Sequence, residues 1–101
     1  MILHTVNRSP FSHQTLDNCL KRMSSNDALL LIEDGVYGLL AHNPYQLPLR
    51  QLVRCYALDE DVTARGLHKL NSDQRIESIH TIHYSGFVEL ACEFSRTISW
   101  Y

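Results

Sequence analysis

The sequence predicts an α/β fold: a single small domain, residues 1–101, with a mostly parallel five-stranded sheet and helices on both faces. Three observations predict it. β-rich runs alternate with helical apolar stripes along the whole chain. The run from Ala28 to Ile32 is apolar at every position, as a parallel strand covered on both sides is. A chain of 101 residues has the length of one domain with a modest core.

The elements follow in order. Ile2 to Val6 is a short β-rich run, punctuated by Asn7-Arg8-Ser9-Pro10. Pro10 and Ser12 open a helix, with Ser12 as its expected N-cap. Leu16, Cys19, Leu20 and Met23 then lie at i, i+3, i+4 and i+7, one apolar stripe, and Ser24-Ser25-Asn26-Asp27 ends it. After the strand from Ala28 to Ile32, Glu33-Asp34-Gly35 turns the chain into a short helix from Val36 to Ala41, broken by His42-Asn43-Pro44. Gln46 to Gln51, with Pro48 inside it, reads as a turn or a short helix. Leu52 to Leu58 is the next strand. Asp59-Glu60-Asp61 puts three acids on the first turn of a helix, where the dipole favours them, and Gly66 stops it. Lys69 to Arg75 is polar and looped. Ile79 to His83 is a fourth strand. Phe87, Leu90, Ala91 and Phe94 repeat the helical stripe. Thr97 to Tyr101 closes the chain as a fifth strand with Ile98 and Trp100 on one face. In parallel sheets function collects after the carboxyl ends of strands, which here points to the loops near Asn7, Asp34, Asp59 and Tyr84.

Composition narrows the function classes. Hydrophobic residues at 45% and charged residues at 20% describe an ordinary globular domain, not a disordered one. Nine Lys/Arg against eleven Asp/Glu give a formal charge of -2, so no nucleic-acid-gripping basic face is expected. No apolar run approaches the ~20 residues of a membrane-spanning helix, and Met1 to Asn7 lacks the pattern of a signal peptide. The expected location is the cytoplasm. Cys19, Cys55 and Cys92 are odd in number and form no CxxC pair, which argues against a disulfide framework, a thioredoxin-like motif or a cysteine zinc site.

Few residues invite chemistry. Cys19, with Lys21 and Arg22 nearby, is either a sulfur-accepting nucleophile or a filler of the stripe between Leu16 and Leu20. Cys55 reads as a buried strand cysteine, and Cys92 as packing or interface. His80 and His83 are the closest histidine pair, but i and i+3 on a strand point to opposite faces, so no metal site is expected. No phosphate-binding loop, GxSxG elbow or HExxH is present, and no cofactor is expected. A receiver-like signalling domain shares the alternating pattern, but of the acids and lysine it needs only Asp59 fits. Ile98, Trp100 and Tyr101 end the chain as candidates for a partner interface.

Several blocks are similar to a known family. Leu3 to Phe11 (LHTVNRSPF), Asp27 to Tyr37 (DALLLIEDGVY), Tyr56 to Leu67 (YALDEDVTARGL), Tyr84 to Leu90 (YSGFVEL) and the closing Trp100 resemble the TusB/DsrH family. The resemblance covers nearly the whole chain, with little signal in His42 to Gln51 and Lys69 to Glu77. It implies a DsrE-like domain. It also implies a place in a heterohexamer with TusC- and TusD-like, or DsrF- and DsrE-like, subunits. Such complexes relay persulfide sulfur from TusA-like to TusE-like carriers, ending in 2-thiouridine at the tRNA wobble position, or serve cytoplasmic sulfur oxidation. The main sulfur-carrying cysteine belongs to the TusD/DsrE chain, so the resemblance implies a noncatalytic subunit without direct tRNA contact. A cysteine in the first helix is a feature of DsrH-type members, which keeps Cys19 as a candidate auxiliary sulfur acceptor.

Overall fold

The computed structural model describes residues 1–101. Its axis is β2 (Ala28–Leu31), the all-apolar run, in which every residue is buried. β1 (Ile2–Val6) and β3 (Cys55–Leu58) pair with it on either side, β4 (His80–Ile82) pairs with β3, and β5 (Arg96–Trp100) pairs with β1. The order is β4-β3-β2-β1-β5, and every pair is parallel, where the sequence predicted a mostly parallel sheet. The first four strands step across the sheet in one direction, and the last connection returns to the far edge.

Strand periodicity divides the core in two. Val6, Leu29, Leu31, Cys55 and Ala57 face one side, where 14 buried residues cluster. They pack against Leu16 and Cys19 of α1 (Thr15–Arg22), Val36 and Leu39 of a 3-10 helix (Glu33–Leu39), Leu49 of α2 (Gln46–Gln51) and Val62 of α3 (Asp59–Ala64). Leu3, Ala28 and Leu30 face the other side and form a buried cluster of only five with Leu90 of α4 (Tyr84–Glu93) and Phe94, edged by the half-buried Ile32, Tyr56, Ile82 and Phe87. The opposite placement of α4 follows from direction: a right-handed crossover running back across the sheet must use the other face.

Three elements start more than one residue away from expectation, while β2, β4 and β5 shift by a single residue at one or both ends. The first helix starts at Thr15, not near Ser12; Gln14 is its N-cap without a side-chain bond, and the Ser12 hydroxyl pairs with His13 Nδ1 at 2.8 Å instead. The third strand starts at Cys55, because Leu52 closes α2 and Val53 stands 84% exposed. The segment expected as a helix from Val36 is a 3-10 helix that begins at Glu33, whose φ of 49° lies in the left-handed region. Gly35 explains that tight turn: any side chain there would overlap the Val6 carbonyl oxygen. Gly66, at φ 71°, ends α3 as its sequence position predicted.

The thin face carries its own tether. The Arg54 guanidinium, just before β3, grips both carboxylate oxygens of Glu93 at the end of α4 and donates to Tyr56 Oη at 3.1 Å. It also lies 5.0 Å from the centre of the Phe94 ring.

Candidate functional site

The carboxyl ends of β1, β2 and β5 enclose a cavity of about 210 Å³, lined by Thr5, Asn7, Ile32, Glu33, Ser99, Trp100 and Tyr101. A wider groove of about 350 Å³ lies to one side, between Leu40–His42 and Leu70, Asp73 and Gln74. The first of these matches the expected position after Asn7 and near Asp34; the second lies where no strand end points. Asn7 Oδ1 is the one buried side-chain oxygen without a hydrogen-bond partner.

Behind that cavity, β1 carries a buried polar chain. Asp27, at the turn before β2, accepts from the Ile2 amide at 2.9 Å, the Ser24 amide at 3.0 Å and His4 Nε2 at 2.9 Å. Burial works against its charged form, but these bonds, with the Ser24 amide foremost, outweigh it and hold the carboxyl below its ordinary value. Trp100 Nε1 donates to His4 Nδ1 at 3.0 Å. An indole N–H can only donate, so Nδ1 accepts and the imidazole proton sits on Nε2, facing Asp27. Neither His4 nor Asp27 was singled out in the sequence. The available signal was a polar residue inside an apolar strand and another immediately before one.

The acids after β3 are engaged within the chain. Asp61 accepts from the Glu33 amide at 2.7 Å and helps hold the left-handed residue. Arg65 bonds Asp34 at 3.0 Å. Glu60 accepts from its own backbone amide and from that of Tyr84 at the start of α4, and these amides hold its carboxyl below the usual range. His83 sits past the end of β4 and within 3.5 Å of Asp59; His80 is exposed within the strand. No group of three His, Cys, Asp or Glu is placed to hold a metal ion.

Of the thiols, Cys19 is fully buried in the larger cluster, and burial, with the nearby Asp27 charge, pushes it up to about 12. Burial and Cys19 push Cys55 up to about 12 as well. Cys92 is exposed in the last turn of α4. Among the candidate interface residues, Ile98 and Trp100 are half-buried, the latter against the larger cluster, while Tyr101 is 79% exposed. Tyr84 and Val88 on the outer side of α4 are exposed apolar residues that the helical stripe alone did not mark. The arrangement suits holding and docking; no accessible thiol is hydrogen-bonded to a base.

Comparison with known proteins bears on the same chain. The family described as "DsrH like protein" matches residues 8–97. Protein TusB of Pectobacterium carotovorum subsp. carotovorum (strain PC1) is 38% identical over 100 residues, spanning 98% of this chain and 100% of that protein. Protein TusB of Shigella flexneri is 37% identical over the same spans. Among solved structures, the ychN protein from E. coli superimposes with a TM-score of 0.78 at 17% identity, covering 97% of each chain. Protein Tm0979 from Thermotoga maritima gives 0.64 at 24% identity, covering 92% of this chain and 93% of that one. At those identities the two structures speak for the fold. In addition, no helix is long and apolar enough to cross a membrane.

Proposed function

The chain belongs to the DsrH-like family, and on that premise we propose that it is a noncatalytic structural subunit of a TusBCD-like sulfurtransferase complex. In this reading it sits in the cytoplasm, in a heterohexamer with TusC- and TusD-like chains. The complex passes persulfide sulfur from a TusA-like to a TusE-like carrier for 2-thiolation of the tRNA wobble uridine. The chain itself touches neither tRNA nor membrane.

The observation that carries the reading is the placement of the thiols. A sulfur carrier needs a thiolate that a donor persulfide can reach. Cys19 and Cys55 are sealed in the core and held as thiols by burial. Cys92 is open to solvent in the last turn of α4, with no hydrogen bond or ion pair to activate it. The thin face supports the partnership. All-parallel sheets are ordinarily covered on both sides, yet this one has a single helix over its second face, with Tyr84 and Val88 turned outward. Apolar surface of this kind suits an obligate interface.

Co-expression with TusC- and TusD-like chains tests the proposal. A stable three-chain assembly is expected, with sulfur transfer unchanged by Cys19→Ser. A chain that stays alone in the presence of both partners defeats it. A ~32 Da adduct on Cys19 within the assembly, abolished by Cys19→Ser, assigns the auxiliary acceptor role instead and favours a DsrH-like subunit of a sulfur-oxidation complex.

A further inference from the structure

Trp100 does two things at once: its indole N–H bonds the buried ring of His4, and its position at the end of β5 puts it among the residues that line the cavity at the carboxyl ends of β1, β2 and β5. We propose that the His4–Trp100 hydrogen bond is a proton-sensitive latch that fixes the end of β5 and, with it, that wall.

The chemistry is set by which atoms are free. His4 Nε2 already carries a proton and spends it on Asp27. The only nitrogen that can take a second proton is Nδ1, and its lone pair is what the indole holds. A proton arriving from solvent at Nδ1 therefore turns an acceptor into a donor. Two N–H groups then face each other, and the indole loses its partner. Asp27 pulls the other way: it is a buried carboxylate 2.9 Å from the ring and gains an ion pair when the ring charges. Protonation thus trades the hold on Trp100 for a stronger hold on Asp27.

Few other charges reach the ring. The turn before β2 supplies Asp27, and α1 supplies Cys19, whose thiol feels that carboxylate. Asp17 and Lys21 of α1 pair with each other at the surface. The neighbours of His4 in register are Leu29 on β2 and Ile98 on β5, both uncharged. Trp100 is the last residue of β5 and the next residue, Tyr101, is exposed, so the indole bond is the side-chain tie between the end of the strand and β1.

Trp100 is the only tryptophan, so its signal reports this contact alone. The full-length chain is titrated from about pH 8 to about pH 5, the range in which imidazoles gain a proton. Indole fluorescence, acrylamide quenching and the indole N–H chemical shift are followed together with the ¹⁵N shifts of His4. As Nδ1 gains a proton, the hydrogen-bonded indole shift is expected to be lost and quenching to rise along the same one-proton curve. His4→Gln keeps an acceptor for Trp100 and a donor for Asp27 but cannot titrate, so its indole signal stays flat. An indole that ignores protonation of Nδ1 overturns the proposal, as does an indole transition that survives in His4→Gln. So does a ring that keeps Nδ1 bare until the protein unfolds in acid. If His4→Gln does not fold, the paired ¹⁵N and indole titrations of the unaltered chain decide the matter.

Discussion

The two faces of the sheet are built to different standards. One is covered by α1, the 3-10 helix Glu33–Leu39, α2 and α3 over 14 buried residues; the other has α4 over five, strapped at one end by Arg54 and Glu93. The same strands serve both faces, so the difference lies in the connections. Three successive crossovers run one way and share a face, while the single return crossover has the other to itself. The thick face therefore holds most of the protein's stability, and the thin face is the one left for neighbours.

Substitutions on the two faces should separate accordingly, and denaturant titration with circular dichroism reads them all. The largest loss is expected for Gly35→Ala on the thick face, where the new methyl overlaps the Val6 carbonyl and backbone must move: more than about 4 kcal/mol, or no folded protein. Gly66→Ala, with open space around it, should cost only about 1 kcal/mol through its left-handed backbone. Next come two leucines. Leu31→Ala in the larger cluster should cost about 4 kcal/mol, and Leu90→Ala in the smaller about 2 kcal/mol, because a thin layer collapses more readily around a void. Equal losses would break the comparison.

Asp27→Asn should cost about 2 kcal/mol near neutral pH, by weakening bonds to a charged acceptor. Its folded carboxyl titrates below its ordinary value of 3.8. The stabilisation is therefore complete above that value and lost as pH falls through the lower, folded one. Stability curves for the parent and Asp27→Asn should converge below about pH 4; parallel curves would show that the charge contributes nothing. The smallest effect is expected for Arg54→Met, since both partners of the tether are partly solvated. Its loss should fall below that of Leu90→Ala, shrink in high salt, and appear as faster hydrogen exchange in α4 rather than in β2.

What could be read from the sequence was what depends on neighbours along the chain. The uniform apolar run at Ala28 to Leu31 marked the central strand, and the spacing of Leu16 and Cys19 marked the buried side of α1. Gly66 marked a helix end for a local conformational reason. What failed was decided by contacts far away. Leu52 and Val53 look like strand, yet Leu52 closes a helix and Val53 faces solvent, because β3 needs only the length that β2 and β4 can pair. Asp59 to Asp61 were correctly placed on a first helical turn. Their work for Glu33 and Tyr84 depends on how α3 meets its neighbours. The His4–Asp27–Trp100 chain joins residues 23 and 96 positions apart and exists only once β1 lies between β2 and β5.

The adjacency of β1 and β5 has a cost in time. The first strand's outer neighbour is the last to be synthesised, and Ser95 Oγ reaches back 94 positions to the carbonyl of Met1 at 2.9 Å. During folding β1 can be joined by β2 and later strands, but its other edge stays bare until β5, whose Arg96 pairs with Ile2, arrives. An unpaired edge of this kind invites wrong partners, and pairings between distant parts of a chain form slowly. Folding chains are therefore most exposed to misassembly before β5 docks, and deleting Arg96–Trp100 should leave the outer edge of β1 permanently bare.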